Sequence, residues 1–150
     1  MHISFICTGN ICRSPMAASI VREHLRRAGL EHVEVTSAGT GSWHVGEPAD
    51  RRAQATLVKH GYPTEHIAAQ VGPDHLDADL LIALDRGHAR ELRALIGDDP
   101  RIRLLRSFDP DADDNDVPDP YYGADDGFGE VLDMIEKAAP GVVQWVREHG

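Results

Sequence analysis

Two residues at a fixed spacing near the start of the chain could do chemistry: Cys7 and Arg13, in the run Cys7-Thr8-Gly9-Asn10-Ile11-Cys12-Arg13-Ser14-Pro15. Five intervening residues let a chain wrap once around a tetrahedral oxyanion. Successive backbone N–H groups then turn inward, and a following helix N-terminus adds partial positive charge. Arg13 can grip two phosphate oxygens in bidentate fashion, which a lysine could not. Cys7 lies at the floor of this cup, where the same groups favour a thiolate. A thiolate facing a phosphate monoester is set for in-line attack on phosphorus, giving a phosphocysteine. Ser14 can donate a hydrogen bond to the sulfur as that intermediate breaks down, while Gly9 and Asn10 tolerate the positive φ of a tight cradle. The plain alternative for Cys7 is an inert thiol buried beside an apolar strand. The strand before it, the Gly-Asn inside the loop and the Ser-Pro after it all favour the nucleophile.

Such a loop needs a strand to deliver the cysteine and a helix to open at the arginine. Ile3-Ser4-Phe5-Ile6 reads as a buried strand, and a helix is expected after Ser14-Pro15, with Ser at the N-cap and Pro at the first helical position. Met16, Ile20, Val21 and Leu25 give that helix an apolar face, and Gly29 ends it. Further strands are expected over residues 33–38, 80–84 and 102–105, and helices over 50–60, 87–96 and 128–147, the last bent near Pro140. A Gly-rich loop over 39–48 carries Trp43 and His44. Strands separated by helices pair in parallel through right-handed crossovers. The expected fold is therefore α/β, a four-stranded parallel sheet with helices on both faces, with ligands at the carboxyl ends of strands.

Composition limits what the loop can serve. The 150 residues, 41% hydrophobic, suffice for one domain over 1–150 with its own core. A net charge of −10 argues against nucleic acid, although one small basic pocket stays compatible with it. That charge is localised: residues 1–108 carry 13 acidic and 13 basic side chains, whereas 109–150 carry 12 acidic and two basic. Eight of those acids are Asp between Asp109 and Asp126, a segment that reads as a solvated surface loop. With no secretory leader, no apolar run of roughly 20 residues and only two closely spaced cysteines, the expected compartment is the cytoplasm. No pair among the nine His has metal-ligand spacing with acidic or Cys company, so neither metal nor cofactor is expected.

The run CTGNICRSP at residues 7–15 resembles the phosphate-binding loop of the low-molecular-weight protein tyrosine phosphatases, most closely those of actinobacteria. Thr36-Ser37-Ala38-Gly39-Thr40, Trp43-His44-Val45-Gly46, Ala83-Leu84-Asp85 and Asp119-Pro120-Tyr121-Tyr122 follow in the family's order and extend the resemblance over nearly the whole chain. It implies a Rossmann-like phosphotyrosine phosphatase I fold. It also implies phosphate binding by residues 8–12 (Thr8, Gly9, Asn10, Ile11, Cys12) with Ser14. Asp119 becomes the general acid for the leaving group and then the base for water; composition alone does not choose it among eight Asp. Trp43 and Tyr121 become walls of a pocket deep enough for a phosphotyrosine ring. Otherwise Trp43 is a partly buried loop anchor. Ile11 fits a tyrosine-directed member, since relatives acting on phosphoarginine carry Thr there. Ser37 and His66, with Asn10, match positions that hydrogen-bond behind the loop, although His66 also reads as an ordinary surface histidine. Two readings stand for Cys12: a thiol that traps oxidised Cys7 as a disulfide, or a small residue packed under the loop. The implied partners are phosphotyrosine proteins, with export without a signal peptide and a tyrosine kinase acting on Tyr121 or Tyr122 as open points. The rivals are an arsenate reductase, which needs relay cysteines beyond Cys12, a thiol redox sensor, and a silent phosphotyrosine-binding module.

Overall fold

A computed structural model describes residues 1–121, 123 and 127–150. Tyr122 and the last two Asp of the acidic run, Asp125 and Asp126, lie outside the described residues. Four strands, β1 (His2–Cys7), β2 (Glu34–Gly39), β3 (Leu80–Ala83) and β4 (Ile102–Leu104), form one parallel sheet in the order β2-β1-β3-β4. Among the described residues five helices accompany them: α1 (Arg13–Arg27), α2 (Arg51–Lys59), a single turn α3 (Pro73–Leu76), α4 (Arg86–Ile96) and α5 (Gly127–His149).

The strand pleat decides which face each side chain meets. Ile3, Phe5 and Cys7 of β1, with Leu80 and Ile82 of β3, pack in one core with residues of α1, α2 and α5. Ile6, Leu81 and Ala83 point the other way into a second core with Ala89 and Leu92 of α4. Helices thus cover both faces, as expected. Glycine closes three of them, with Gly97 at φ +85 after α4. At the end of α1, Gly29 takes φ +77 and the Leu30 N–H reaches back to the Leu25 carbonyl; Gly61, at φ +80, and Tyr62 repeat the arrangement after α2.

Local differences from the expected elements have physical causes. α1 begins at Arg13 rather than at Pro15, and Cys12 stands at its N-cap with no side-chain hydrogen bond. Ser14 is therefore not the cap: its hydroxyl is already engaged with Cys7 and Asn10. The first N–H groups of α1 are thereby left uncapped by any side chain at the loop. Leu105, expected in β4, starts a 3-10 turn over Leu105–Phe108. That turn and α3 are each four residues long, too short to show a period in sequence. α5 is continuous through Pro140.

β1 and β3 are the central neighbours, and successive crossovers leave them in opposite directions, β1 to β2 and β3 to β4. Cys7 ends β1 and Leu84-Asp85 follows β3, so both lie at the crevice where open α/β sheets bind ligands.

Candidate active site

Residues 8–12 connect Cys7 to Arg13 in a turn that only particular residues permit. Asn10 has φ +57, the sole non-glycine residue with positive φ among the described residues. Its fully buried side chain organises the back of the loop. Nδ2 donates to Ser14 Oγ (2.8 Å) and Ser37 Oγ (3.0 Å), and Oδ1 accepts the Ala69 N–H (2.9 Å). The Asn10 carbonyl accepts from His66 Nε2 at 2.6 Å, which places His66 behind the loop rather than on open surface. Burial holds the His66 imidazole below its usual pKa, so the ring is neutral there. Ser14 Oγ lies 2.8 Å from Cys7 Sγ. Because that hydroxyl accepts from Asn10, its own proton is available to the sulfur.

Arg13 is 5% exposed, and its charge is held in place by several elements. Nη1 donates to Asp85 Oδ2 and to the Val117 carbonyl, each at 2.8 Å. Nη2 lies 3.7 Å from Asp119 Oδ2. Burial alone would raise the Asp85 carboxyl, but the His88 N–H and Arg13 outweigh it and hold the group below the usual carboxylate range. Asp85 also caps α4 by accepting the His88 N–H at 3.0 Å.

The loop bearing Asp119 is anchored to the body. Val117 N–H bonds to the Leu84 carbonyl (2.9 Å), extending the line of β3 toward the acid. Arg106 reaches the Asp116 carbonyl and Asp113, Arg86 chelates Asp116, and Arg52 donates to the Tyr121 carbonyl. This revises the expectation of a merely solvated acidic run: part of it is paired with arginines of the body. Asp119 Oδ1 accepts the Tyr121 N–H at 3.0 Å, and its side chain is 44% exposed.

One cavity of about 370 Å³ gathers Cys7, Thr8, Gly9, Ile11, Cys12, Arg13, Trp43, His44, Asp119 and Tyr121. Trp43 is 73% exposed and lies over Gly41, where a Cβ would strike its ring. Trp43 and Tyr121, the residues expected as pocket walls, both line this cavity, Trp43 from its exposed edge. Cys12 is buried, and its thiol is pushed up to about 12 by burial and by nearby Asp50, Cys7 and Asp119, so it is a protonated thiol beside the loop. Asn10, Ser14, Ser37 and His66 stand behind the cavity rather than in its lining.

Three neighbours of the loop escaped the sequence reading as site residues: Asp85, His88 and His44. An Asp at the carboxyl end of a central strand, N-capping the next helix, was an available signal for Asp85. His88 carried none, because its role depends on a contact 80 residues away in sequence. Among the described residues, no group of three or more His, Cys, Asp or Glu is placed to hold a metal ion.

The parallel sheet, with Cys7, Arg13 and the carboxylates of Asp85 and Asp119 gathered at its switch point, has the architecture of a phosphatase-type α/β domain. A model of the family described as low molecular weight phosphotyrosine protein phosphatase matches residues 2–150, and the chain belongs to that family. It is 58% identical over 151 residues to low molecular weight protein-tyrosine phosphatase A of Mycobacterium tuberculosis, covering 99% of this chain and 93% of the relative. Against the low molecular weight protein-tyrosine-phosphatase of Streptomyces coelicolor it is 52% identical over 154 residues, covering 98% and 94%. Among solved structures, a protein tyrosine phosphatase from Entamoeba histolytica superposes with a TM-score of 0.92 at 31% identity, covering 99% of this chain and 98% of that one. The protein is a hydrolase, a low molecular weight protein-tyrosine phosphatase, and its substrates are phosphoproteins.

Proposed function

We propose that residues 1–150 form one catalytic domain that hydrolyses phosphotyrosine in two steps through a phosphocysteine on Cys7. Cys7 Sγ attacks phosphorus in line, the bond to the tyrosyl oxygen breaks, and Asp119 gives that oxygen its proton. Water then attacks the phosphocysteine, Asp119 takes a proton from it, and the Ser14 hydroxyl stabilises the departing thiolate. The supporting observation is the shared cavity. It holds a sulfur 2.8 Å from the Ser14 hydroxyl, an arginine, and a carboxylate 3.7 Å from that arginine. Since Arg13 Nη1 is committed to Asp85 and Val117, the edge offered to two phosphate oxygens is Nε with Nη2.

Trp43 and Tyr121 at the rim suit a flat aryl ring, and Ile11 in the lining adds apolar surface. Thr8, Gly9 and Cys12 complete the phosphate-binding loop, with Asn10, Ser37 and His66 fixing its shape from behind. Cytoplasmic action suits two free cysteines that must stay reduced. The arsenate reductase reading lacks relay thiols, since Cys7 and Cys12 are the sole cysteines of the sequence. Asp119→Ala is the direct test of the acid. Cleavage should slow by roughly two to four orders of magnitude for phenols that leave poorly, and far less for those that leave well. Equal loss across leaving groups removes Asp119 from that role.

A further inference from the structure

We propose that His88 is a positioning residue that ties together Thr8 and Arg13, the two ends of the phosphate loop, and so sets the width of the cup. His88 sits in the first turn of α4, outside the loop, and is 2% exposed. Its Nε2 lies 2.8 Å from Thr8 Oγ1 and 3.5 Å from Arg13 Nη2. Its Nδ1 faces Asp85 Oδ1 at 3.2 Å, short of a well-aligned hydrogen bond. The carboxylate on that side favours the tautomer with hydrogen on Nδ1. The Nε2 lone pair then accepts the Thr8 hydroxyl.

The charge balance agrees with a neutral acceptor. Burial and the Arg13 guanidinium lower the His88 pKa, and Asp85, Glu91 and Asp119 oppose them less strongly. Asp85 binds both the His88 N–H and Arg13 Nη1, so the first turn of α4 holds the loop at Thr8 and at Arg13. The Asn10 web fixes the back of the loop, and His88 fixes its mouth on the α4 side. A change of a few tenths of an ångström there misaligns the N–H groups that meet the oxyanion.

This inference rests on the phosphate-cup reading of Cys7 and Arg13, and the test separates the two. Competitive inhibition by inorganic phosphate is measured for the wild type, His88→Ala, Thr8→Val, the double variant and Arg13→Lys, each checked for folding by thermal melting. Each of the first two single variants should weaken phosphate by up to about ten-fold, the scale of one hydrogen bond. The double variant should be no weaker than the worse single one, because both lose the same contact. Losses that multiply, or an unchanged inhibition constant in the Thr8→Val protein, overturn the role of His88. If His88→Ala does not fold, Thr8→Val alone decides, since it removes the hydroxyl and keeps the shape. An Arg13→Lys protein that binds phosphate as the wild type does overturns the cup itself.

Discussion

A methyl group added at Gly39 would stand 2.5 Å from the Thr8 carbonyl oxygen and 3.1 Å from the Asn10 nitrogen, so β2 ends in direct contact with the loop over residues 8–12. Those atoms are backbone and cannot swing aside. Gly39→Ala is therefore expected to cost about 1–3 kcal/mol of stability and to raise the inhibition constant for phosphate as well. A variant destabilised with its phosphate affinity intact would show that the loop absorbs the strain elsewhere. At this scale the sequence spoke unevenly. The turn from Cys7 to Arg13 was legible because the strand, loop and helix that form it are local in sequence, and Asn10 because few residues tolerate its φ of +57. Ser14 was misread as a helix cap because Ser-Pro before an apolar run has the same appearance whether the hydroxyl serves a backbone N–H or a sulfur. His88 was missed as a site residue because its partner, Thr8, is distant in sequence, whereas Asp85 carried a local signal as the helix cap after a central strand.

Among the elements, α5 meets the 3-10 turn at Gly141, where a Cβ would fall 2.1 Å from the Phe108 carbonyl. This contact lies away from the cavity. Gly141→Ala should thus lower the melting temperature, at a cost of about 1–3 kcal/mol, while the folded fraction keeps its kcat. Melting and single-turnover rates on the same preparation distinguish this from Gly39→Ala, and a matching loss of kcat would link α5 to the site. Strands and long helices were readable from their apolar runs and 3.6-residue period, and their parallel pairing followed from the helices between them. Element ends were less so. Leu105 left β4 for a 3-10 turn, and α1 began two residues before the expected Pro15. At those ends Ser14 is engaged by Cys7 and Asn10, and Arg106 by Asp113 and the Asp116 carbonyl, contacts that include partners from other elements.

Over the whole molecule, charge governs two responses. His24, His66, His75 and His88 are all held below the usual histidine pKa, with burial the largest cause in each. The unfolded chain then binds more protons than the folded one below about pH 6.5, so stability is full above that pH and falls as pH drops. Unfolding midpoints should decrease from pH 7 to pH 5, and His66→Gln should flatten the slope; a constant midpoint would contradict the burial of these rings. The second response concerns substrates. The −10 charge lies in residues 109–150, and although Arg86 and Arg106 neutralise part of it, the segment flanks the cavity through Asp119. Phosphopeptides carrying extra Asp or Glu should react more slowly, with the gap closing as salt is added. Rates that rise with peptide acidity would refute this field.

On the proposed route the phosphoryl group passes through Cys7. The most direct measurement quenches the enzyme during the first turnover of an aryl phosphate and maps the phosphoryl group by peptide mass spectrometry, using Ser14→Ala to slow breakdown of the intermediate. One phosphoryl group per active site is expected on the sulfur of Cys7, appearing with the burst of released phenol and absent after prior alkylation of that thiol. Continued turnover with Cys7 unmodified throughout, or the phosphoryl group on any other residue, would contradict it.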